Sequence, residues 1–132
     1  MTENKMKSFL FLLLVFSFSA FSTEKILYCV TEDSYGFEPG QNYRQQQFTE
    51  ERFTIAINFE EKTLFSEGIF FYDFSDAPIL CTKSETHNYM ACYSSFANAS
   101  FKIFPENFKF VLTEAYGTTD SIGISHGKCE RF

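Results

Sequence analysis

The sequence predicts an all-β protein: a small antiparallel meander that forms a barrel or a two-sheet sandwich and is braced by disulfides. Apolar and polar residues alternate with a period of two in several segments, which places the apolar side chains on one face of a strand. Short turn-forming stretches separate these segments, so neighbouring strands are expected to pair antiparallel. A barrel or a sandwich then leaves few sheet edges open.

The alternation is clearest in residues 52–59, where Phe53, Ile55, Ile57 and Phe59 alternate with Thr, Ala and Asn. No long segment repeats apolar residues at the three-and-four spacing of a helix. Further strands are predicted at 64–71, 79–83, 89–94, 99–104, 108–115 and 121–125, with turns at 60–62, 85–88, 105–107 and 117–120.

Residues 32–47 contain two glycines and a proline among polar residues, which predicts one long loop. Loops on a rigid β scaffold carry recognition more often than the scaffold does. We therefore expect Tyr35 and Phe37 to be exposed aromatic anchors. Glu32 and Asp33 would form an acidic rim beside them.

The N-terminus has the three parts of a cleavable export signal: a basic start, an apolar run at 9–18 and a small-residue exit before a cut after Ser22. The apolar run is about half of the ~20 residues that cross a bilayer. This predicts a signal peptide at 1–22 and a single β-rich domain at 23–132. The mature domain is expected in the periplasm or outside the cell, with no stable membrane insertion.

The net charge of the chain bears on whether nucleic acid is an expected partner. The formal net charge is −6, and it becomes −7 without residues 1–22, which hold Lys5, Lys7 and Glu3. An acidic chain without a Lys/Arg cluster repels phosphate groups, so nucleic acid is not an expected partner.

Four cysteines in an exported chain are expected to pair, and four allow three pairings. A hairpin turn near His87 would bring Cys81 opposite Cys92, which leaves Cys29 near the start to pair with Cys129 near the end. Closely spaced ligands such as C-x-x-C do not occur, so no metal site and no cofactor are predicted.

Two short motifs match functional patterns. Residues 123–127 fit G-x-S-x-G, and Ser125 with His126 would be the residues of a small hydrolase. The nucleophile elbow needs a following helix and later triad partners, whereas only five residues follow the motif, which favours a terminal strand. Asn98 begins an N-glycosylation sequon, which matters only in a source with that pathway.

Aromatic content is high, with 19 Phe and 7 Tyr, of which 14 Phe follow residue 22. Consecutive aromatics lie at Phe70, Phe71, Tyr72 and Phe74. One interpretation is a barrel interior filled by Phe rings. The alternative is an apolar cavity or an exposed patch that binds a protein or a small apolar ligand.

The pairs Tyr28-Cys29 and Gly36-Phe37, the segment 52–54 and the ending 126–132 resemble a group of small exported bacterial proteins of unknown function. The likeness spans most of the mature chain and implies no activity. A looser resemblance is to the periplasmic lysozyme inhibitors, whose barrels begin with an aromatic residue near a cysteine and end near another. Their inhibitory loop motif has no counterpart here, so no inhibitory residue is transferred.

The sequence therefore predicts an exported, non-enzymatic binding or interaction protein. The first alternative is a proteinaceous inhibitor of a basic hydrolase such as lysozyme, since the negative charge would steer it toward a basic enzyme. The alternative from another class is the hydrolase that would use Ser125 and His126.

Overall fold

The computed structural model describes residues 23–67, 79–94, 98–116 and 121–132. These form nine strands and one short 3-10 helix, Pro39–Gln41. The strands are β1 Lys25–Phe37, β2 Gln45–Gln47, β3 Arg52–Asn58, β4 Thr63–Glu67, β5 Ile79–Ser84, β6 Tyr89–Ser94, β7 Ala99–Ile103, β8 Lys109–Tyr116 and β9 Ser121–Arg131.

The sheet is antiparallel throughout and closes on itself. Strand β1 pairs with β3, each strand from β3 onward pairs with the next, and β9 returns to pair with β1. Eight strands complete the barrel, while β2 extends the sheet by pairing with Tyr35–Phe37 of β1. The predicted all-β class is confirmed, and the barrel is the form that it takes.

Aromatic and aliphatic side chains fill one end of the barrel. The rings of Phe53, Phe101 and Phe110 contact one another with centroid separations of 5.3 to 6.2 Å. All three are buried, and two of the contacts are edge-on, as aromatic pairs prefer. The expectation of a Phe-filled interior therefore holds for this end.

Both disulfides lie inside the barrel, and the favoured pairing is confirmed. Cys29 bonds to Cys129 across the β1–β9 seam, and Cys81 bonds to Cys92 between β5 and β6. Each pair occupies directly opposed positions of neighbouring strands. The first bond therefore joins the strands that close the barrel.

The prediction of one long loop at 32–47 is wrong, because β1 continues to Phe37. A register shift between Thr31 and Asp33 inserts one extra residue, after which Ser34 and Gly36 face inward and Tyr35 and Phe37 face outward. In the sequence, Gly36 is one of the residues that favour a loop. In the structure its missing side chain makes room for the ring of Phe48.

Four expectations fall wholly or partly outside the described residues: the signal peptide at 1–22, the part of the predicted strand 64–71 beyond residue 67, the aromatic run at 70–74 and the turn at 117–120. Within the ranges that are described, no helix has the length and apolarity that a membrane span needs.

Candidate functional site

An exposed apolar surface lies on the outside of the β1–β9 seam. Tyr35 is paired with Ile124 and Phe37 with Ile122, so the four side chains form two adjacent cross-strand pairs. Their exposed fractions are 38%, 51%, 39% and 51% in that order. We call these four residues the apolar face.

An acidic rim borders the apolar face on the same outer surface, two residues further along each strand of the seam. His126 lies opposite Asp33, with its Nε2 atom 3.0 Å from the Asp33 Oδ2 atom. The Glu32 Oε2 atom is 3.8 Å from His126 Nδ1. The extra residue in β1 turns Glu32 outward beside Asp33, so that both carboxylates face the same imidazole.

The structure brings the four predicted binding residues together, although on a strand and not on a loop. Ile122 and Ile124 are not among the residues predicted from the sequence for this site. Alternation marks 121–125 as a strand but does not say which set of side chains faces water. Two residues further along β9 identify the inner face of this strand. Gly127 and Cys129 both face inward, so the period of two places Gly123 and Ser125 inside as well.

Ser125 and His126 lie on opposite faces of β9. The Ser125 side chain is buried in the barrel, with its Oγ atom 2.7 Å from the Ser34 Oγ atom. The imidazole of His126 is on the outer face between two carboxylates. Adjacent residues of a strand point in opposite directions, so this arrangement does not form a nucleophile–base pair.

Among the residues that the structure describes, a cavity lies at the end of the barrel away from the Phe cluster. A cavity of about 440 Å³ opens there, and small inward-facing residues of β1 and β9 create its space. The Ser34–Ser125 hydroxyl pair, the Phe48 ring and three carboxyl side chains line it: Glu38, Glu51 and Glu114. Burial raises the pKa of the Glu51 carboxyl above its ordinary value.

Both polar atoms of the Asn98 side chain form hydrogen bonds. Its Nδ2 atom donates a hydrogen bond to the Ala115 carbonyl at 2.9 Å, and its Oδ1 atom accepts one from the Tyr93 hydroxyl at 2.8 Å. A glycan on Nδ2 would compete with the first bond. The sequon is therefore part of the packing between β6, β7 and β8.

No cluster of three or more His, Cys, Asp or Glu side chains in the described part of the chain is arranged to hold a metal ion. The chain matches no protein-family model, no curated protein and no solved structure.

Proposed function

We propose that the protein is an exported, non-enzymatic interaction module that binds a basic protein partner on the apolar face. The observation that carries this proposal is the contiguity of Tyr35, Phe37, Ile122 and Ile124 on the outer surface of the barrel. Contiguous exposed apolar groups rimmed by polar residues are typical of interaction sites. Aromatic side chains in such patches often contribute much of the binding energy.

The scaffold under this face is rigid, which lowers the entropy cost of binding. Strand β1 pairs with β9 along almost its whole length, and the Cys29–Cys129 bond links the two strands. The partner would meet side chains that are already ordered.

Charge favours a basic partner. The acidic rim adds two carboxylates beside the apolar face, and within the described residues His126 is the one potential cation that pairs with them. The chain as a whole is acidic, with a sequence pI of about 4.9. Complementary charge of this kind speeds encounter and selects the partner more than it adds affinity.

Export is part of the same proposal. Residues 1–22 have the composition of a signal peptide. Two disulfides suit an oxidising compartment such as the periplasm or the extracellular space.

The test is capture of partners from the exported fraction of the source cells. The variant Tyr35→Ala/Phe37→Ala should lose the partner that the wild type retains. The matched control is Phe65→Ala/Leu80→Ala, which removes two exposed apolar side chains from β4 and β5 and should retain it. Identical partner lists for wild type and both variants would refute the proposal.

A second candidate is inhibition of a basic hydrolase, which the acidic rim favours. The assay is lysozyme activity with increasing amounts of the protein at low and high salt. Inhibition that weakens as salt rises, and that fails in Asp33→Asn or Tyr35→Ala, would support this candidate. Full lysozyme activity at every protein concentration would exclude lysozyme as the target.

A further inference from the structure

The cavity at the end of the barrel away from the Phe cluster owes its space to small residues of β1 and β9. Ser34, Gly123 and Ser125 face inward at positions where the Phe-filled end carries large side chains. A Cβ atom on Gly123 would lie 3.7 Å from the Glu114 carboxyl, so its missing side chain leaves open space beside that group. The resulting volume of about 440 Å³ falls within the range of small-molecule sites.

Among the lining residues that the structure describes, the charged groups are all carboxyls. Glu38, Glu51 and Glu114 contribute carboxyl groups, and no Lys, Arg or His belongs to the part of the lining that the structure describes. A lining of carboxyl groups is complementary to a cation, since an opposite charge nearby favours the charged form of a carboxyl. The raised pKa of Glu51 reflects the cost of desolvation at this place.

The buried serine pair supplies an independent observation. Ser34 and Ser125 are more than nine-tenths buried, line the cavity and share one hydrogen bond of 2.7 Å. Two hydroxyl groups carry two donor hydrogens, and the shared bond uses one. Neither hydroxyl has a further partner in the described residues, so one buried donor remains for an acceptor oxygen in the cavity.

Phe48 completes the site with an aromatic wall. Its ring packs against Gly36, and its backbone N–H donates to the Ser34 carbonyl at 2.8 Å. The ring is therefore fixed beside the serine pair. An aromatic face of this kind suits the C–H face of a sugar ring or an ammonium group.

We propose that the cavity is a second binding site that takes a small organic ammonium compound with hydroxyl groups, an amino sugar or amino alcohol. It shares Ile122 with the apolar face, whereas Tyr35 and Phe37 are not among its described lining residues. The ammonium group lies between the carboxylates of Glu38 and Glu51. A ligand oxygen accepts the remaining hydrogen of the Ser34–Ser125 pair, and the apolar side of the ligand lies against Phe48.

Glucosamine and glucose form a matched pair of probes, because an ammonium group in one replaces a hydroxyl in the other. Calorimetric titration and NMR chemical-shift mapping of the mature protein should show saturable glucosamine binding at least about tenfold tighter than glucose binding. This ratio is equivalent to about 1.4 kcal/mol. The shifted amide signals should lie at Ser34, Phe48 and Ser125.

Variants locate the site. Glu51→Gln and Glu38→Gln should each weaken glucosamine binding several-fold, and Ser125→Ala should weaken it as well. Glu60→Gln and Glu61→Gln, in the exposed turn after β3, should have no effect on it. Tyr35→Ala/Phe37→Ala should also have none, which separates this site from the partner-binding proposal.

Three results would overturn the inference: no saturable binding, equal binding of glucose, or glucosamine binding that is unchanged in both Glu51→Gln and Glu38→Gln. The first would mean that water fills the cavity in solution. The other two would mean that the carboxylates do not select the ligand.

Discussion

Gly127 of β9 lies so close to Val30 of β1 that a Cβ atom on Gly127 would overlap the Val30 carbonyl oxygen. The same Cβ atom would also be only 2.8 Å from the Phe110 ring and 2.9 Å from the Thr31 Cα atom. This contact fixes which side of β9 faces the interior. It thereby fixes the outward position of Ile122 and Ile124.

Gly127→Ala should therefore destabilise the protein strongly. Forcing one carbon atom against backbone typically costs about 1–3 kcal/mol or more. The free energy of unfolding, measured with a chemical denaturant, should therefore fall by at least about 1 kcal/mol. Gly40→Ala is the control, since no atom lies within 4 Å of a Cβ there, and its stability should stay close to the wild-type value. Equal effects of the two substitutions would contradict the assigned packing.

The two disulfides should contribute unequally to stability. Cys29–Cys129 spans 100 residues and Cys81–Cys92 spans 11. The chain-entropy relation then gives about 4.7 kcal/mol for the long loop and about 2.8 kcal/mol for the short one. Denaturant unfolding of Cys29→Ala/Cys129→Ala and Cys81→Ala/Cys92→Ala measures both contributions. A larger loss from the second double variant would refute this ranking.

Substitutions of exposed and of buried aromatic residues should differ in their effect on the free energy of unfolding. Tyr35→Ala and Phe37→Ala remove half-exposed rings, so each should change the free energy of unfolding by about 1 kcal/mol or less. Phe101→Ala empties part of the core and should cost about 3–5 kcal/mol. Thermal unfolding followed by circular dichroism provides the comparison. A large loss from Tyr35→Ala would mean that its ring supports the fold and is not free for a partner.

Glu51 should make stability depend on pH in a defined direction. Its pKa is raised in the folded state above the ordinary value of about 4.5, so the folded protein holds this proton to higher pH than the unfolded chain does. Stability contributed by this group is therefore present at low pH and is lost as pH rises through the window between the two values. Glu51→Gln should unfold at a higher temperature than the wild type at pH 7, and the difference should vanish near pH 3.

The effect should be small, because solvent screens a group that is largely exposed. Glu60→Gln, in the exposed turn after β3, controls for the loss of one negative charge. A lower midpoint for Glu51→Gln at pH 7 would contradict the assigned desolvation.

Local patterns in the sequence predicted much of the fold. Period-two alternation identified the β3 strand, and the turn near His87 identified the hairpin that places Cys81 opposite Cys92. The second disulfide followed by elimination. The residue-by-residue register in which β1 and β9 close the barrel was not derivable, since it pairs segments about a hundred residues apart.

The proposed partner surface was predicted in part. The sequence predicts that Tyr35 and Phe37 are exposed, but Gly36 between them favours a loop in the sequence, whereas in the structure it makes room for the Phe48 ring. Ile122 and Ile124 would be expected inside from their apolarity. Their exposure follows from the inward position of Gly127, which depends on contacts with β1 and β8.

The cavity could not be predicted at all from local patterns. Its serine pair combines residues that are 91 positions apart, and its carboxyl groups come from separate segments. Only the register between β1 and β9 brings Ser34 and Ser125 together.

The most direct measurement of the proposed partner surface is hydroxyl-radical footprinting of the captured complex, read by mass spectrometry at single side chains. Oxidation of Tyr35, Phe37, Ile122 and Ile124 should fall when the partner is bound. Oxidation of Phe65 and Leu80 should stay as in the free protein. Protection at Phe65 and Leu80, with the apolar face still fully oxidised, would contradict the account.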